Sequence, residues 1–140
     1  MTKKRLQRLA AFLSCFEKPD HNIGNWIQPP SEDENVFVMP HFSFSKSMQQ
    51  FINMAYDEEW VLKGFDWPSW KNSDEAQKLR DDFDYLAKAT PDQLARLLTV
   101  LIRQERFCEG SLSSAYESGL IKEICRRATR LVFELEGDSV

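Results

Sequence analysis

One helix constrains the fold of this chain more than any other feature. Thr90-Pro91-Asp92-Gln93 combines a capping threonine, a proline in the first helical turn and a glutamine at the third position, which is a typical helix start. The residues that follow, through Cys108, are apolar around more than half of the helix circumference. We therefore predict a central helix over residues 91–108, ended by Gly110, against which the other elements pack.

Apolar residues recur at helical spacing along most of the remaining sequence. Predicted helices cover residues 4–17, 45–58, 74–88, 111–117 and 120–135, and another begins near Pro68. Each of the longer segments has one apolar stripe, which must be covered by a neighbouring element. The chain is therefore predicted to be a helix bundle.

Residues with β propensity are confined to a smaller part of the chain. Trp26-Ile27 and residues 36–39 are predicted to pair as a hairpin, to which residues 60–62 would add a third strand. The predicted fold class is mainly α (α+β), a compact bundle of about five helices with a small antiparallel β-hairpin or three-stranded patch. No linker or repeat divides the sequence, so we predict one helix-rich domain over residues 1–140, with a short flexible tail from about residue 136.

The composition disfavours several classes of protein. Hydrophobic residues make up 42% and aromatic residues 12% of the chain, which is enough to build a core and argues against disorder. The net charge of -4 disfavours a general duplex-binding protein, because such proteins concentrate positive charge. No apolar run has the length of a membrane span, and the N-terminal pattern is that of an amphipathic helix rather than a signal peptide.

Cysteines and histidines are too scattered to predict a metal centre. Cys15, Cys108 and Cys125 form no C-x-x-C pair, and neither His21 nor His41 has metal-ligand spacing to a cysteine or carboxylate pair. Cys15 and Cys125 are predicted to be free thiols in a reducing cytoplasm. Known phosphate-loop, dinucleotide, zinc-protease and serine-hydrolase motifs are missing from the sequence, so we predict no cofactor and regard an enzyme as the less favoured class.

The non-apolar face of the predicted central helix carries basic residues. Its members are Arg96, Thr99, Arg103 and Arg106. Arg103 and Arg106 could hold a phosphate or a carboxylate by bidentate contacts, with Arg126 and Arg127 nearby. The favoured alternative is that they pair with acids of the protein itself, because acidic residues outnumber basic ones, 22 to 18. The acids proposed for this pairing are Glu109, Glu117 and Asp66.

Glu105 lies within the apolar stripe of the same helix, where an unpaired carboxylate is costly. We favour a side chain that tilts toward solvent or an arginine over a raised-pKa acid or base in a pocket. A second helix start lies near Pro68, where the Asp66 carboxylate can accept N–H bonds. Because a proline favours an extended residue before it, the capping residue is either Asp66 or Trp67. Trp67 and Trp70 are predicted to anchor the core, whereas an exposed tryptophan pair would be a binding hot spot.

The segment around residues 110–130 has the outline of a helix-turn-helix. A short helix between Gly110 and Gly119 precedes a longer helix that carries basic residues. These are Lys122, Arg126, Arg127 and Arg130. Nucleic-acid binding through this helix is therefore an alternative, which the overall acidity of the chain disfavours.

Three motifs together resemble a prokaryotic domain family of unknown function. They are M-P-H-F-S-F-S at 39–45, F-D-W-P-S-W at 65–70, and L-L-T-V-L-I-R-Q-E-R-F-C-E-G-S-L at 97–112 followed by E-S-G-L-I at 117–121. The resemblance covers residues 8–131 and implies a small, stand-alone, intracellular protein with no assigned activity. The residues that carry it are Asp66, Trp67, Trp70, Arg103, Arg106, Phe107 and Gly110.

The favoured function is that of a small acidic protein-binding module in the cytoplasm, such as an inhibitor, adaptor or regulator of a larger complex. An anti-defence or immunity protein would be one form of it. An acidic surface could engage a basic partner, and the predicted contact patches are Glu32, Asp33, Glu34, Asp57, Glu58, Glu59, Asp81, Asp82 and Asp84. A homodimer through aromatic residues is a further expectation.

The main alternative is an anion- or phosphate-binding domain or enzyme. It would use Arg103 and Arg106 in a pocket lined by Trp67 or Trp70, with Glu105 or Glu109 as acid or base.

Overall fold

The polypeptide folds mainly into helices, as the sequence predicts. The structure is a computed structural model that describes residues 3–30, 36 and 39–137. Its helices are α1 (Lys3–Ala10), α2 (Leu13–Phe16), α3 (Lys46–Asp57), α4 (Trp67–Trp70), α5 (Asp74–Asp81), α6 (Phe83–Leu86), α7 (Pro91–Gln104), α8 (Ser111–Glu117) and α9 (Leu120–Gly137). The strands β1 (Gly24–Ile27) and β2 (His41–Phe44) form a two-stranded sheet. The predicted fold class, mainly α with a small β-hairpin, is confirmed.

Helix α7 begins with the predicted capping box. The Thr90 hydroxyl accepts the backbone N–H of Gln93 at 3.1 Å, and the Gln93 side chain accepts the N–H of Thr90 at 2.9 Å. Residues 97–102 of this helix are all buried. The helix ends at Gln104, before the predicted end at residue 107 or 108, because the N–H groups of Arg106 and Phe107 donate to carbonyls only three residues back and form turns.

Thr99 lies in the core and not on the polar face of α7 that the sequence predicts for it. Its side chain is fully buried, and its hydroxyl donates to the Ala95 carbonyl at 2.7 Å while accepting the Leu62 N–H at 2.9 Å. Because this hydroxyl satisfies the Leu62 N–H, residues 60–62 cross α7 without a strand partner. The predicted third strand is therefore wrong.

The hairpin forms, but with a partner strand other than the predicted residues 36–39. Strand β1 pairs antiparallel with β2, from Gly24 opposite Phe44 to Ile27 opposite His41. Pro40 has no N–H to donate to a ladder, and the pairing begins at the residue after it. Residues 37 and 38 lie outside the described residues.

Two predicted helices are each divided in two. The segment 4–17 turns at residues 11–12, between α1 and α2. The segment 74–88 breaks at Asp82, which has an extended conformation. The Asp82 carboxylate accepts the N–H groups of Asp84 and Tyr85 and so begins α6 as a new helix. Asp82 therefore has a structural role besides its negative charge.

Arg5 and Trp60 join α1 to the end of α3. The Arg5 guanidinium donates to the carbonyls of Glu58 and Glu59 at 2.6 and 2.9 Å, where the helix leaves carbonyls without intrahelical donors. The same group lies 5.2 Å from the centre of the Trp60 ring, and the Trp60 indole donates to the Arg5 carbonyl at 3.3 Å. Trp60 is completely buried.

The described helices include none that is both long and apolar enough to cross a membrane.

Candidate functional site

The loop from residue 105 to residue 110, which we name the α7–α8 loop, is fixed by the side chain of Glu105. This carboxylate accepts the Gly110 N–H at 2.9 Å and the Leu112 N–H at 2.9 Å. A negative group at the start of a helix also interacts favourably with the helix dipole. These backbone hydrogen bonds offset the cost of placing a carboxylate on the apolar stripe of the helix. Glu105 therefore serves as a cap for α8.

Gly110 completes the turn, and its lack of a side chain leaves room for the Trp26 ring. Its φ of +96° lies in the left-handed region, which favours glycine. A side-chain carbon at this position would stand 2.9 Å from the ring of Trp26. The Trp26 indole therefore covers the backbone of the α7–α8 loop, while 54% of the residue stays exposed.

Phe107 projects from the same loop into solvent. It is 79% exposed, and its ring centre lies 6.1 Å from that of Trp67. The loop thus carries an exposed phenylalanine beside Trp67, with Trp26 over its far end. We name Trp26, Trp67 and Phe107 the aromatic surface.

The two tryptophans of the F-D-W-P-S-W motif have different environments. Trp70 packs against Phe65 at a ring distance of 5.8 Å and joins the edge of the hydrophobic core, as predicted. Trp67 is half-buried and belongs to the aromatic surface instead. Asp66 accepts the Ser69 N–H at 3.3 Å and caps α4, so it is Asp66 rather than Trp67 that occupies the capping position.

Arg103 and Arg106 do not form the internal ion pairs that the sequence favours. Among the described residues neither guanidinium has a carboxylate within 4.0 Å, whereas Arg96 pairs with Asp92 at 3.0 Å. Two of the acids predicted as their partners make other contacts, since Asp66 caps α4 and Glu109 accepts the Phe42 N–H.

Each of the two arginines lines a different groove. Arg106 borders a groove of about 450 Å³ whose other walls are mostly apolar apart from Glu105 and Glu109. Arg103 borders one of about 460 Å³ together with Lys63, Asp57 and Glu59. Tyr56 lines both. Trp67 and Trp70 line neither groove, so the structure does not bring the arginines and these tryptophans together in one pocket.

The acidic patches predicted as contact surfaces are only partly free. Glu58 forms an ion pair with Arg8, and Asp82 caps α6. The remaining described members are exposed, namely Asp57, Glu59, Asp81 and Asp84. The patch formed by Glu32, Asp33 and Glu34 lies outside the described residues.

Two of the four basic residues predicted to form a nucleic-acid-binding face on α9 are neutralised by the protein itself. Arg126 pairs with Glu17 and Glu123. Arg127 donates to the Ala89 carbonyl at 2.8 Å and pairs with Glu134 at 3.2 Å. These two arginines therefore offer little free charge to a nucleic-acid backbone.

Sequence reasoning missed a cluster of three side chains around His21. Its Nε2 atom lies 2.7 Å from the Ser47 hydroxyl, and its Nδ1 atom lies 2.6 Å from the Tyr116 hydroxyl. Burial lowers the pKa of His21 below its ordinary value and raises the pKa of Tyr116. We name these three residues the His21 cluster. The three residues are far apart in the sequence, so no local motif predicts that they are in contact.

The cysteines are free thiols, as predicted for Cys15 and Cys125. Cys108 is exposed on the α7–α8 loop, Cys15 is half-buried and Cys125 is buried. Burial raises the pKa of the Cys125 thiol, so it stays protonated and unreactive in the folded protein.

Fold and site define a helical protein with one small hairpin, whose exposed α7–α8 loop is fixed by a glutamate and lies among aromatic side chains. The chain belongs to a family of unknown function, DUF6508, which matches residues 1–134. The predicted resemblance to a family of unknown function is thereby confirmed. Neither the curated proteins nor the solved structures contain a detectable match to the chain.

Proposed function

We propose that this protein is a protein-binding module that contacts its partner through the aromatic surface. The observation that carries the proposal is the 79% exposure of Phe107 on a loop fixed by Glu105. A large apolar side chain is costly to leave in water and is held here beside Trp67. Exposed apolar groups clustered in this way are typical of protein–protein contact sites, and tryptophan dominates many of them.

The fixed loop favours tight binding for a second reason. Association is weakened by the entropy lost when flexible groups become ordered, and a preformed loop avoids much of that loss. The two Glu105 hydrogen-bond partners, Gly110 and Leu112, hold the loop at its C-terminal end. Phe107 is therefore presented in a geometry that does not have to be created on binding.

The exposed carboxylates indicate a partner with a basic surface. Asp57, Glu59, Asp81 and Asp84 are exposed, and the chain carries a net charge of -4. A field of this sign accelerates encounter with a basic partner without adding much affinity. We place the affinity in the aromatic surface and the steering in the carboxylates, which suits an inhibitor, adaptor or regulator of a larger complex.

Replacing Phe107 by alanine tests this proposal, because the change removes the exposed ring and leaves the core intact. Tagged wild-type protein, the Phe107→Ala variant and a Phe133→Ala control are purified from the native cells and their bound proteins quantified by mass spectrometry. Phe133 is 65% exposed but lies on α9, away from the loop. A stoichiometric partner should remain with wild type and control and fall at least about tenfold with Phe107→Ala.

Equal recovery of the partner by wild type and Phe107→Ala would show that the aromatic surface is not the contact site. Recovery of the wild-type chain alone would contradict the binding-module function itself. The melting temperatures of the three proteins should agree, so that a loss of binding is not a loss of folding.

An anion-binding site is a second candidate, favoured by the free guanidinium of Arg103. It shares a groove of about 460 Å³ with Lys63 and has no carboxylate partner within the described part of the chain. The two cations suit a phosphate or carboxylate group, but Asp57 and Glu59 line the same groove and offset their charge, so this candidate stands second. Inorganic phosphate should then raise the melting temperature of the wild type but not of Arg103→Ala, with Arg126→Ala as the control. A shift that persists in Arg103→Ala would exclude this site.

A further inference from the structure

The geometry points to a second, chemically active site: we propose that Ser47 is a nucleophile, activated by His21, that accepts acyl groups from small esters. Three elements build this site. His21 lies in the segment after α2, Ser47 in the first turn of α3, and Tyr116 on α8. A hydroxyl and a base within hydrogen-bond distance, with the base oriented by a third group, is the arrangement by which proteins activate serine. The site is independent of the aromatic surface.

The distances fit either tautomer of His21, and the proposal requires the one with the proton on Nδ1; the Ser47 hydroxyl also lies 3.1 Å from that of Ser45. The 2.6 Å contact between Tyr116 and Nδ1 of His21 allows Nδ1–H to donate to the phenol oxygen, which leaves the lone pair of Nε2 facing the Ser47 hydroxyl at 2.7 Å. In this tautomer Tyr116 is a positioning residue that holds the orientation of the imidazole ring. The Phe16 ring packs edge-on against both His21 and Tyr116, which holds the two rings in place.

The start of α3 supplies the remaining part of an acyl-transfer site. Ser45 is the N-cap residue and accepts the Met48 N–H at 3.3 Å. Lys46 and Ser47 occupy the first turn, whose N–H groups have no intrahelical acceptor. Such N–H groups and the helix dipole stabilise the negative oxygen that forms when a carbonyl is attacked. His21 and Ser47 are half-buried, so part of each side chain faces solvent.

The reaction balances without a metal or cofactor. The Ser47 oxygen forms a bond to the ester carbonyl carbon while its proton moves to Nε2 of His21. The carbon–oxygen bond to the alcohol then breaks, and the alcohol leaves with that proton. Water, deprotonated by the same nitrogen, then attacks the acyl carbon, the bond between that carbon and the Ser47 oxygen breaks, and the proton on Nε2 passes to the Ser47 oxygen as the carboxylic acid leaves.

Burial favours the neutral form of His21 that this step requires. Burial is the largest influence and lowers its pKa, Lys18 lowers it further, and Asp20 opposes them. Tyr116, facing it from α8, has a raised pKa because of burial, Glu117 and Cys15. The phenol is therefore neutral and gives less support to a protonated imidazole than a carboxylate would, which predicts a slow enzyme.

The test is covalent labelling of the full-length chain with a fluorophosphonate, a reagent that phosphonylates activated serines. The wild type should gain one adduct, which peptide mapping places on Ser47. Ser47→Ala should gain none, and His21→Asn should react about 100-fold more slowly. Ser114→Ala is the matched control, since Ser114 is an exposed serine on α8, and it should label like the wild type.

The pH dependence of labelling distinguishes a chemical role of His21 from a structural one. The labelling rate should fall as acid protonates Nε2, with a midpoint below the ordinary histidine pKa of 6.5. Tyr116→Phe keeps the ring and removes the hydroxyl, so it should slow labelling several-fold and move this midpoint.

Wild-type protein that gains no adduct would overturn the proposal, as would an adduct on another serine. A His21→Asn variant that is folded by circular dichroism and labels at the wild-type rate would overturn it too. If a variant fails to fold, the mapped position and pH profile of the wild-type adduct still decide the question.

Discussion

Trp60→Ala is expected to lower the free energy of unfolding by about 3–5 kcal/mol, the range measured when large aromatic residues are removed from protein cores. Trp60 is completely buried, so removing its indole takes a large apolar surface out of the core. The change also removes the stacking partner of the Arg5 guanidinium and the donor to the Arg5 carbonyl. Both losses loosen the contact between α1 and the end of α3.

Urea unfolding of matched variants measures this effect. Trp60→Phe keeps most of the apolar volume and loses the indole N–H, so it should cost clearly less than Trp60→Ala. Trp26→Ala removes the same kind of side chain from a site that is 54% exposed, and should cost about 1 kcal/mol or less. An equal cost for Trp60→Ala and Trp26→Ala would show that the burial of Trp60 does not stabilise the fold as described.

Glu105→Ala has the second largest expected effect, a loss of about 2–3 kcal/mol. The carboxylate accepts N–H groups from both Gly110 and Leu112 at 2.9 Å, and hydrogen bonds to a charged group are stronger than neutral ones. Alanine would leave both donors without this acceptor and would weaken the N-terminus of α8. Hydrogen exchange at the Gly110 and Leu112 amides should accelerate together, since one group protects both.

Glu109→Ala is the control for Glu105→Ala, because it removes an exposed carboxylate from the same loop that accepts one backbone N–H, from Phe42. It should cost less than half as much. If the two variants lost equal stability, the cap on α8 would not be the dominant contribution. Under the proposed function, Glu105→Ala should also weaken partner binding although it touches no partner, because it frees the loop that presents Phe107.

The parts of the fold that could be predicted are those specified by neighbouring residues. The capping box of α7 lies within four consecutive residues, and its hydrogen bonds are the ones that the sequence predicts. The break at Asp82 was missed because helical periodicity continues across it, while one side chain takes over the next backbone N–H groups. The strand partner of Trp26 was missed because pairing depends on residues far apart in the chain, which local propensity does not record.

In the candidate site too, local features could be predicted from the sequence and contacts between distant residues could not. Glu105 was recognised as anomalous from its position on the helix, but its acceptor role depends on a turn that periodicity does not reveal. The His21 cluster joins residues that are 26 and 95 positions apart, so only the folded chain brings them together. Arg103 and Arg106 were predicted as a pair from their spacing, and the end of α7 at Gln104 separates them into two grooves.

The buried hydroxyl of Thr99 has a consequence for how uniquely the chain folds. Apolar surfaces attract one another without direction, so a segment crossing a helix can slide by part of a turn at little cost in buried area. A hydrogen bond depends on distance and direction. The Leu62 N–H can reach the Thr99 hydroxyl only when residues 60–62 are in one position along the axis of α7. The Thr99 hydroxyl therefore favours one packing of residues 60–62 on α7 over others that would bury a similar apolar area.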